Sequence, residues 1–186
     1  MVITAEEGAS GSTSNVQNLN LIFTVSEDTE SFEFSDISVS GGTLTSFTGS
    51  GNRYTAILVG NADVMSVHVD NNKFTDFAGN SNSAADFIFY IDRVHPHVTI
   101  EATQGVSGFS SNDNALNLEF TVSDDTVDFE QSDISVSGGV LSSFQGSGRV
   151  FFAVFTPNSN SVETTIQINH NMFHDTVGNG NEVISI

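Results

Sequence analysis

The amino-acid sequence predicts an all-β fold made of two tandem β-sandwiches, each with seven antiparallel strands. Three observations support this prediction: the chain contains one long internal repeat, its apolar residues alternate with polar ones, and paired glycines separate short β-rich segments. Alternation at a period of two puts successive side chains on opposite faces of a strand, whereas a helix has a period of 3.6 residues. Helical patterns are nearly absent.

The internal repeat sets the number of domains. Shifting the 186-residue chain by 97 positions aligns Leu19–Gly51 with Leu116–Gly148, and 25 of the 33 aligned residues are identical. Such a period exceeds the roughly 20–50 residues of solenoid and propeller repeats, and it approaches the roughly 100 residues of an immunoglobulin-like sandwich. We therefore predict two immunoglobulin-like domains, residues 1–94 and 95–186, arranged end to end.

The alternation also indicates which face of a strand is buried. One face of the strand carries the apolar residues Leu19, Leu21 and Phe23. The opposite face carries Ile22, and the corresponding residue of the second repeat is Glu119. A charged residue is tolerated on the solvent side and is costly in a core. We therefore expect Leu21 to be buried and Ile22 to face solvent.

Seven strands per repeat follow from the same pattern. In the first repeat they lie near Val2–Ala5, Leu19–Val25, Phe34–Ser40, Leu44–Phe47, Tyr54–Val59, Met65–Val69 and Asp86–Ile91. If successive strands run antiparallel, an odd number makes the chain enter a domain at one end and leave it at the other. Gly41-Gly42 and Gly49-Ser50-Gly51 are predicted to form tight hairpin turns. The last predicted strand of the second repeat is several residues shorter than Phe87–Ile91, which is typical of a segment cut from a longer array.

The charge balance excludes several kinds of partner. Four Lys and Arg residues stand against 23 Asp and Glu residues, so the net charge is −19 at pH 7. Nucleic acid and anionic membranes both require clustered positive charge. We therefore expect no nucleic-acid partner, and no direct membrane insertion because no apolar run is long enough to span a bilayer. The absence of cysteine excludes disulfides, thiolate nucleophiles and Cys-based metal sites.

Three motifs carry a family resemblance. The pattern FxxSDIxVSGGxLxxFxGSG, a later FxDxxGN and the closing segment YIDRVHPHVTI together resemble the bacterial Ig-like repeats of giant adhesins and other surface proteins. The closing segment of that family usually reads like IDTTAPTVTI, so Asp92 and Pro96 match it, whereas Arg93 and His95 depart from it. The resemblance implies an Ig-like sandwich, a role as an extender that holds a terminal binding domain away from the cell, and calcium at the joints.

Acidic residues gather in the loops that the predicted strand order places at one end of each repeat. Calcium takes about six to eight oxygen ligands from carboxylates, Asn side chains and backbone carbonyls, so we predict a Ca²⁺ cofactor at the joint between the repeats. The candidate ligands are Asp92, Asp124, Asp125, Asp175 and Asn179 around the joint, and Glu27, Asp28, Asp76 and Asn80 in the first repeat. The alternative is an acidic surface on which Asp and Asn residues form turns.

Two further groups of residues have structural and chemical interpretations. Asp36 and Asp133 lie in a repeated Ser-Asp-Ile, and we expect them to bind backbone N–H groups at the turn before the next strand. His170 with His174, or His95 with His97, could hold a metal ion. Solvated loop histidines are the favoured interpretation, because the other repeat has no counterpart of either pair.

The sequence favours a structural role over catalysis. No nucleophile with a base, carboxylate pair, phosphate loop or zinc triad can be identified, so we predict that the protein is not an enzyme. We expect a secreted, extracellular or cell-surface extender whose partners are neighbouring Ig-like repeats of the same polypeptide. The alternative is a binding module for a cell-surface glycan or protein, since one sandwich scaffold serves both roles.

Overall fold

The computed structural model describes residues 1–159 and 163–186. These residues form two compact units, Met1–Arg93 and Val94–Ile186, which we call repeat 1 and repeat 2. Both units consist of β-strands and short turns, which confirms the predicted all-β class.

Apart from β2, the strands follow the same order in the two repeats. Repeat 1 contains β1 (Val2–Ala5), β2 (Thr13–Ser14), β3 (Asn18–Thr29), β4 (Ile37–Ser40), β5 (Gly42–Gly60), β6 (Val64–Val69) and β7 (Ala85–Ile91). The described residues of repeat 2 contain β8 (Val98–Ala102), β9 (Leu116–Thr126), β10 (Ile134–Ser137), β11 (Gly139–Pro157), β12 (Thr165–Ile168) and β13 (Ile184–Ser185). A 3₁₀ turn precedes β4 at Phe34–Asp36 and β10 at Gln131–Asp133.

Two sheets make up each repeat. In repeat 1 the strand orders are β1-β3-β5 and β2-β7-β6-β4, and in repeat 2 they are β8-β9-β11 and β10-β12-β13. Phe23 of β3 lies opposite Ile3 on one side and Tyr54 on the other, in antiparallel register. All three residues are buried, which places the core on this face of the sheet.

The long strand β5 bends back on itself at Gly49–Gly51. Thr45 Oγ1 donates a hydrogen bond to the carbonyl oxygen of Ile57 at 3.2 Å, so the two halves of β5 lie side by side. Gly49 has a φ of 148°, and a Cβ there would collide with the opposite half. The predicted strands Leu44–Phe47 and Tyr54–Val59 are therefore the two arms of one hairpin, and the turn predicted at Gly49 is confirmed.

The structure corrects the turn predicted at Gly41-Gly42. These glycines do not close a hairpin, because β4 and β5 belong to different sheets. Gly41 instead has a φ of 71° where the chain crosses between the sheets, and a Cβ there would collide with the carbonyl of Val64. A residue without Cβ is required at this close approach.

The strand count and pairing also differ from the prediction. Repeat 1 has seven strands, but β2 pairs with β7 in parallel, with Thr13 opposite Tyr90. A strand of two residues is too short to show alternation in sequence, so β2 was not predicted. The predicted strand Phe34–Ser40 begins only at Ile37, because its first residues form a 3₁₀ turn. Repeat 2 has six strands in the described residues and no counterpart of β2 there.

The chain enters and leaves repeat 1 at opposite ends. Val2, at the start of β1, lies opposite Thr24 in the second half of β3. Beyond it, Thr29 Oγ1 donates to the carbonyl oxygen of Thr75 at 2.6 Å, which joins the end of β3 to the loop after β6. Strand β7 starts opposite the end of β6 and runs away from this end of the sandwich. The predicted path through the domain is therefore confirmed for repeat 1.

Aromatic rings fill the core of each repeat near this end. In repeat 1 the cluster consists of Phe23, Phe32, Phe47, Tyr54 and Phe74, and in repeat 2 of Phe120, Phe129, Phe144, Phe151 and Phe173. The two sets occupy corresponding positions, so the Phe residues that recur in register are core residues. The predicted facing of β3 is also confirmed, since Leu21 is 1% exposed, Ile22 is half-buried and Glu119 is exposed.

Candidate functional site at the acidic pole of each repeat

All the candidate calcium ligands except Asp92 lie at one end of their repeat. We define this acidic pole as residues 26–36, 48–52 and 70–84 in repeat 1, and residues 123–133, 145–149 and 169–183 in repeat 2. Within each repeat the loops contact one another: Thr29 bonds to Thr75 in repeat 1, and Asp128 Oδ1 accepts the backbone N–H of His174 at 2.9 Å in repeat 2. The sequence placed these loops at one end, and the structure brings them together there.

The Asp and Asn of the repeated FxDxxGN motif bind each other. In repeat 1 the Asp76 carboxylate accepts hydrogen bonds from the backbone N–H and the side-chain amide of Asn80, each at 2.8 Å. In repeat 2 the Asp175 carboxylate accepts the same two bonds from Asn179, at 2.8 and 3.0 Å. The Asn80 side chain, and then its backbone N–H, hold the pKa of Asp76 below its ordinary value. Both pairs therefore close the loop between the last two strands.

A second asparagine anchors the same loop through its side-chain amide. Asn181 Oδ1 accepts the backbone N–H groups of Met172 and Phe173 at 2.7 and 3.0 Å. Its amide nitrogen donates to the carbonyl oxygens of Asn169 and Glu182 at 2.8 and 2.6 Å. Asn82 makes the corresponding four bonds in repeat 1. The recurrence of GNxN at residues 79–82 and 178–181 is the signal that could have identified it.

The candidates on β3 have few partners. Glu27 and Asp28 are exposed, and neither forms an ion pair within residues 1–159 and 163–186. Their carboxylate oxygens therefore remain open to solvent or to a cation.

The corresponding carboxylates on β9 are more constrained. Asp124 is half-buried and accepts a hydrogen bond from Ser123 Oγ at 2.7 Å. Asp125 lies 3.5 Å from the Nε of Arg149, whose position is occupied by Asn52 in repeat 1. One of the two carboxylates in repeat 2 thus has a cationic neighbour already.

Asp92 lies after the end of β7, away from the acidic pole of its own repeat. Its backbone N–H donates to the carbonyl oxygen of Ser14 at 3.0 Å, which continues the parallel pairing of β2 with β7. Within the described residues, no group of three or more His, Cys, Asp or Glu side chains is arranged to hold a metal ion. The carboxylates of Asp76 and Asp175 serve the loop of their own repeat, as the hydrogen bonds above show.

Asp36 and Asp133 have the structural role predicted for them. Asp36 Oδ2 accepts the backbone N–H of Glu33 at 2.9 Å, and Asp133 Oδ2 accepts that of Glu130 at 2.8 Å. Burial raises the pKa of Asp133, and the hydrogen bond from Glu130 opposes this rise. The Ser-Asp-Ile segment therefore fixes the 3₁₀ turn that leads into the next strand.

The histidines of repeat 2 have separate surroundings. His95, His97 and His170 are exposed, as expected for loop residues, and the rings of His95 and His170 lie 6.1 Å apart. His174 is half-buried, with Nδ1 3.0 Å from Asp128 Oδ2. Burial would raise the pKa of Asp128, but the hydrogen bonds from His174 and Thr126, together with the charge of His174, hold it below its ordinary value.

No helix in the part of the chain that the structure describes has the length and apolar character needed to cross a membrane.

Comparison with known proteins identifies the fold family. No curated protein matches the chain significantly. The sequence profile described as bacterial Ig-like domain matches residues 3–89 and again residues 92–185. With two consecutive matches that cover nearly the whole sequence, the chain belongs to the bacterial Ig-like domain family.

Proposed function

We propose that this chain is a non-catalytic extender segment of a bacterial surface adhesin, located outside the cell. The observation that carries the proposal is the tandem pair of one fold, in which the chain crosses repeat 1 from one end of the sandwich to the other. A domain of this kind adds its own length to a surface protein with each copy. Its partners would be the neighbouring Ig-like repeats of the same polypeptide.

A surface-display experiment tests this role. The chain is inserted between a cell-surface anchor and a terminal domain of known ligand, and ligand capture is measured on cells with a dense surface layer. Replacement by an unrelated Ig-like pair of equal length should preserve capture, whereas deletion should reduce it. Capture that is lost on replacement as well as on deletion would contradict the extender role.

The alternative is a ligand-binding module that recognises a glycan or a protein on another cell. It predicts that cells displaying this chain without any terminal domain adhere to target cells, and that cells displaying the unrelated Ig-like pair do not. The extender predicts equal, low adhesion for both. Measuring the adhesion of these two kinds of cells therefore distinguishes the binding module from the extender.

The calcium prediction belongs to the same proposal. A net charge of −19 destabilises a compact chain through self-repulsion, and a bound divalent cation offsets such repulsion. Asp124 and Asp125, at the acidic pole of repeat 2, offer carboxylate oxygens of the type that calcium prefers. We propose that calcium bound by Asp92 together with these acidic residues of repeat 2 stiffens the connection between the repeats.

A further inference from the structure

A cleft of about 620 Å³ opens at the acidic pole of repeat 1. It lies between the 3₁₀ turn, the hairpin turn of β5 and the loop after β6. Two of the aromatic side chains that line it are largely exposed to solvent, Phe34 by 52% and Phe77 by 69%. Large exposed aromatic side chains that line a concave surface are typical of a binding site.

The same cleft also contains three carboxylates. Asp28, Glu30 and Glu33 line the cleft, and none of them forms an ion pair within the described residues. Tyr54 also lines the cleft, and burial raises its pKa. The negative charges of Asp28 and Glu30 raise this pKa further. The cleft therefore combines aromatic surface with negative potential.

Repeat 2 has the same backbone framework and lacks this combination of side chains. Gln131 replaces Phe34, Thr176 replaces Phe77, Val127 replaces Glu30 and Phe151 replaces Tyr54. Arg149, in place of Asn52, lies 3.5 Å from Asp125. Within the 33-residue segment that the two repeats share most closely, three of the eight differences fall on this cleft, at Glu30, Phe34 and Thr48.

We propose that the cleft of repeat 1 binds an arginine-bearing segment of a partner polypeptide. A guanidinium group stacks on aromatic faces and pairs with carboxylates in a planar, two-pronged geometry, so it uses both features of the cleft. The cleft is larger than one side chain needs, and the hairpin turn at its rim presents Thr48 and Ser50 to the backbone of a bound segment. This inference goes beyond the extender role and does not depend on it.

The test is an NMR titration of the ¹⁵N-labelled full chain with acetyl-Gly-Arg-Gly-Arg-Gly-amide. We expect saturable shifts confined to residues 28–34, 47–51 and 77. The peptide with citrulline in place of arginine, which has the same shape and no charge, should cause none. Free argininamide should bind more weakly than the peptide, because it lacks the flanking backbone.

Matched variants come from repeat 2 itself. The double variant Phe34→Gln/Phe77→Thr carries residues that the other repeat already tolerates, and it should weaken binding by at least about tenfold through loss of two cation–π contacts. Glu30→Val should also weaken binding, and its melting temperature shows whether the fold is intact. In the reverse variant Gln131→Phe/Thr176→Phe/Arg149→Asn, the arginine peptide should also cause NMR chemical-shift changes in repeat 2.

Three outcomes would overturn the proposal. Shifts spread evenly over the acidic surface, unchanged in Phe34→Gln/Phe77→Thr, would indicate nonspecific attraction to the net charge. Equal shifts from the citrulline peptide would exclude recognition of a cation. Argininamide binding as tightly as the peptide would identify a small cation as the ligand in place of a polypeptide. Each of these outcomes leaves the surface-display test of the extender role unaffected.

Discussion

Asn181 accepts the backbone N–H of Phe173 at 3.0 Å while its own side chain is fully buried. In the loop that contains Phe173, this one amide group serves two N–H donors and two carbonyl acceptors. Asn82 makes the same bonds in repeat 1, where it is half-buried.

Asn181→Ala should therefore destabilise repeat 2 more than Asn82→Ala destabilises repeat 1. Each buried group left without a partner costs about 1–3 kcal/mol, and water can replace part of the loss where the loop is more exposed. Calorimetry of the full chain, with hydrogen exchange to assign each transition, measures the difference. Equal losses in the two repeats would contradict this ranking.

The two faces of β3 should respond oppositely to substitution. Leu21→Ala truncates a core side chain that is 1% exposed, and it should cost about 2–5 kcal/mol. Ile22→Glu should be nearly neutral, because the corresponding residue of repeat 2 is Glu119 on an exposed face. Denaturant unfolding compares the two variants, and a severe loss from Ile22→Glu would show that β3 faces the other way.

Tyr54 should make repeat 1 sensitive to alkaline pH. Its hydroxyl donates to the carbonyl oxygen of Thr29 at 2.8 Å, and burial, with the charges of Asp28 and Glu30, raises its pKa. A raised folded-state pKa contributes stability that is present below the unfolded value of about 10 and is lost as the pH rises through the folded value.

The variant Tyr54→Phe isolates this contribution. It should lower stability at neutral pH by about 0.5–1.5 kcal/mol, through loss of the hydrogen bond, and should weaken the decline of stability above pH 10. Phe151 occupies the corresponding position, so the variant is compatible with the fold. Urea unfolding between about pH 7 and pH 11 checks the prediction, and parallel pH profiles of the two proteins would refute it.

Millimolar calcium should raise the melting temperature and extend the chain. Extracellular calcium modules bind with dissociation constants of about 10⁻⁴–10⁻³ M, and binding to the folded state alone stabilises it by RT ln(1 + [Ca²⁺]/Kd). Calorimetry and small-angle scattering, each with calcium and with chelator, measure the two effects. Asp124→Asn should reduce both. Identical melting temperatures and maximum dimensions in the two conditions would leave the acidic loops as a solubilising surface.

A longer final strand should stabilise repeat 2. β13 pairs with β12 at two positions, whereas β7 pairs with β6 at six. Beside β13, a cleft of about 640 Å³ is lined by apolar side chains that include Ile100, Leu118 and Phe155. Appending the sequence of Ile88–Ile91 after Ile186 should raise the melting temperature of repeat 2 by extending the pairing of β13 with β12 and filling this cleft. An appended Gly-Ser segment of equal length is the control, and equal melting temperatures would refute the prediction.

The features that depend on local pattern could be predicted from the amino-acid sequence alone. The 97-residue repeat gave the number of domains, and alternation around Leu21 gave the buried face, because each side chain on a strand partitions between core and solvent at a period of two. The exchange of Ile22 for Glu119 identified the solvent face for the same reason. Asp36 was assigned to its turn because an Asp side chain bonds to backbone groups within a few residues.

Other relationships became visible only in the folded chain. The parallel pairing of β2 with β7 places Thr13 opposite Tyr90. A strand of two residues is too short to show an alternating pattern, so the sequence did not predict this pairing. The cleft of repeat 1 brings Phe34 and Phe77 to one surface, although they lie on separate loops. Asn181 acquired its role from burial among backbone groups of several loop residues. In the first two cases the contact joins residues that are far apart in the chain and meet only once the sheets have formed, and in the third it depends on the folded path of the loop. Local sequence preference encodes neither arrangement.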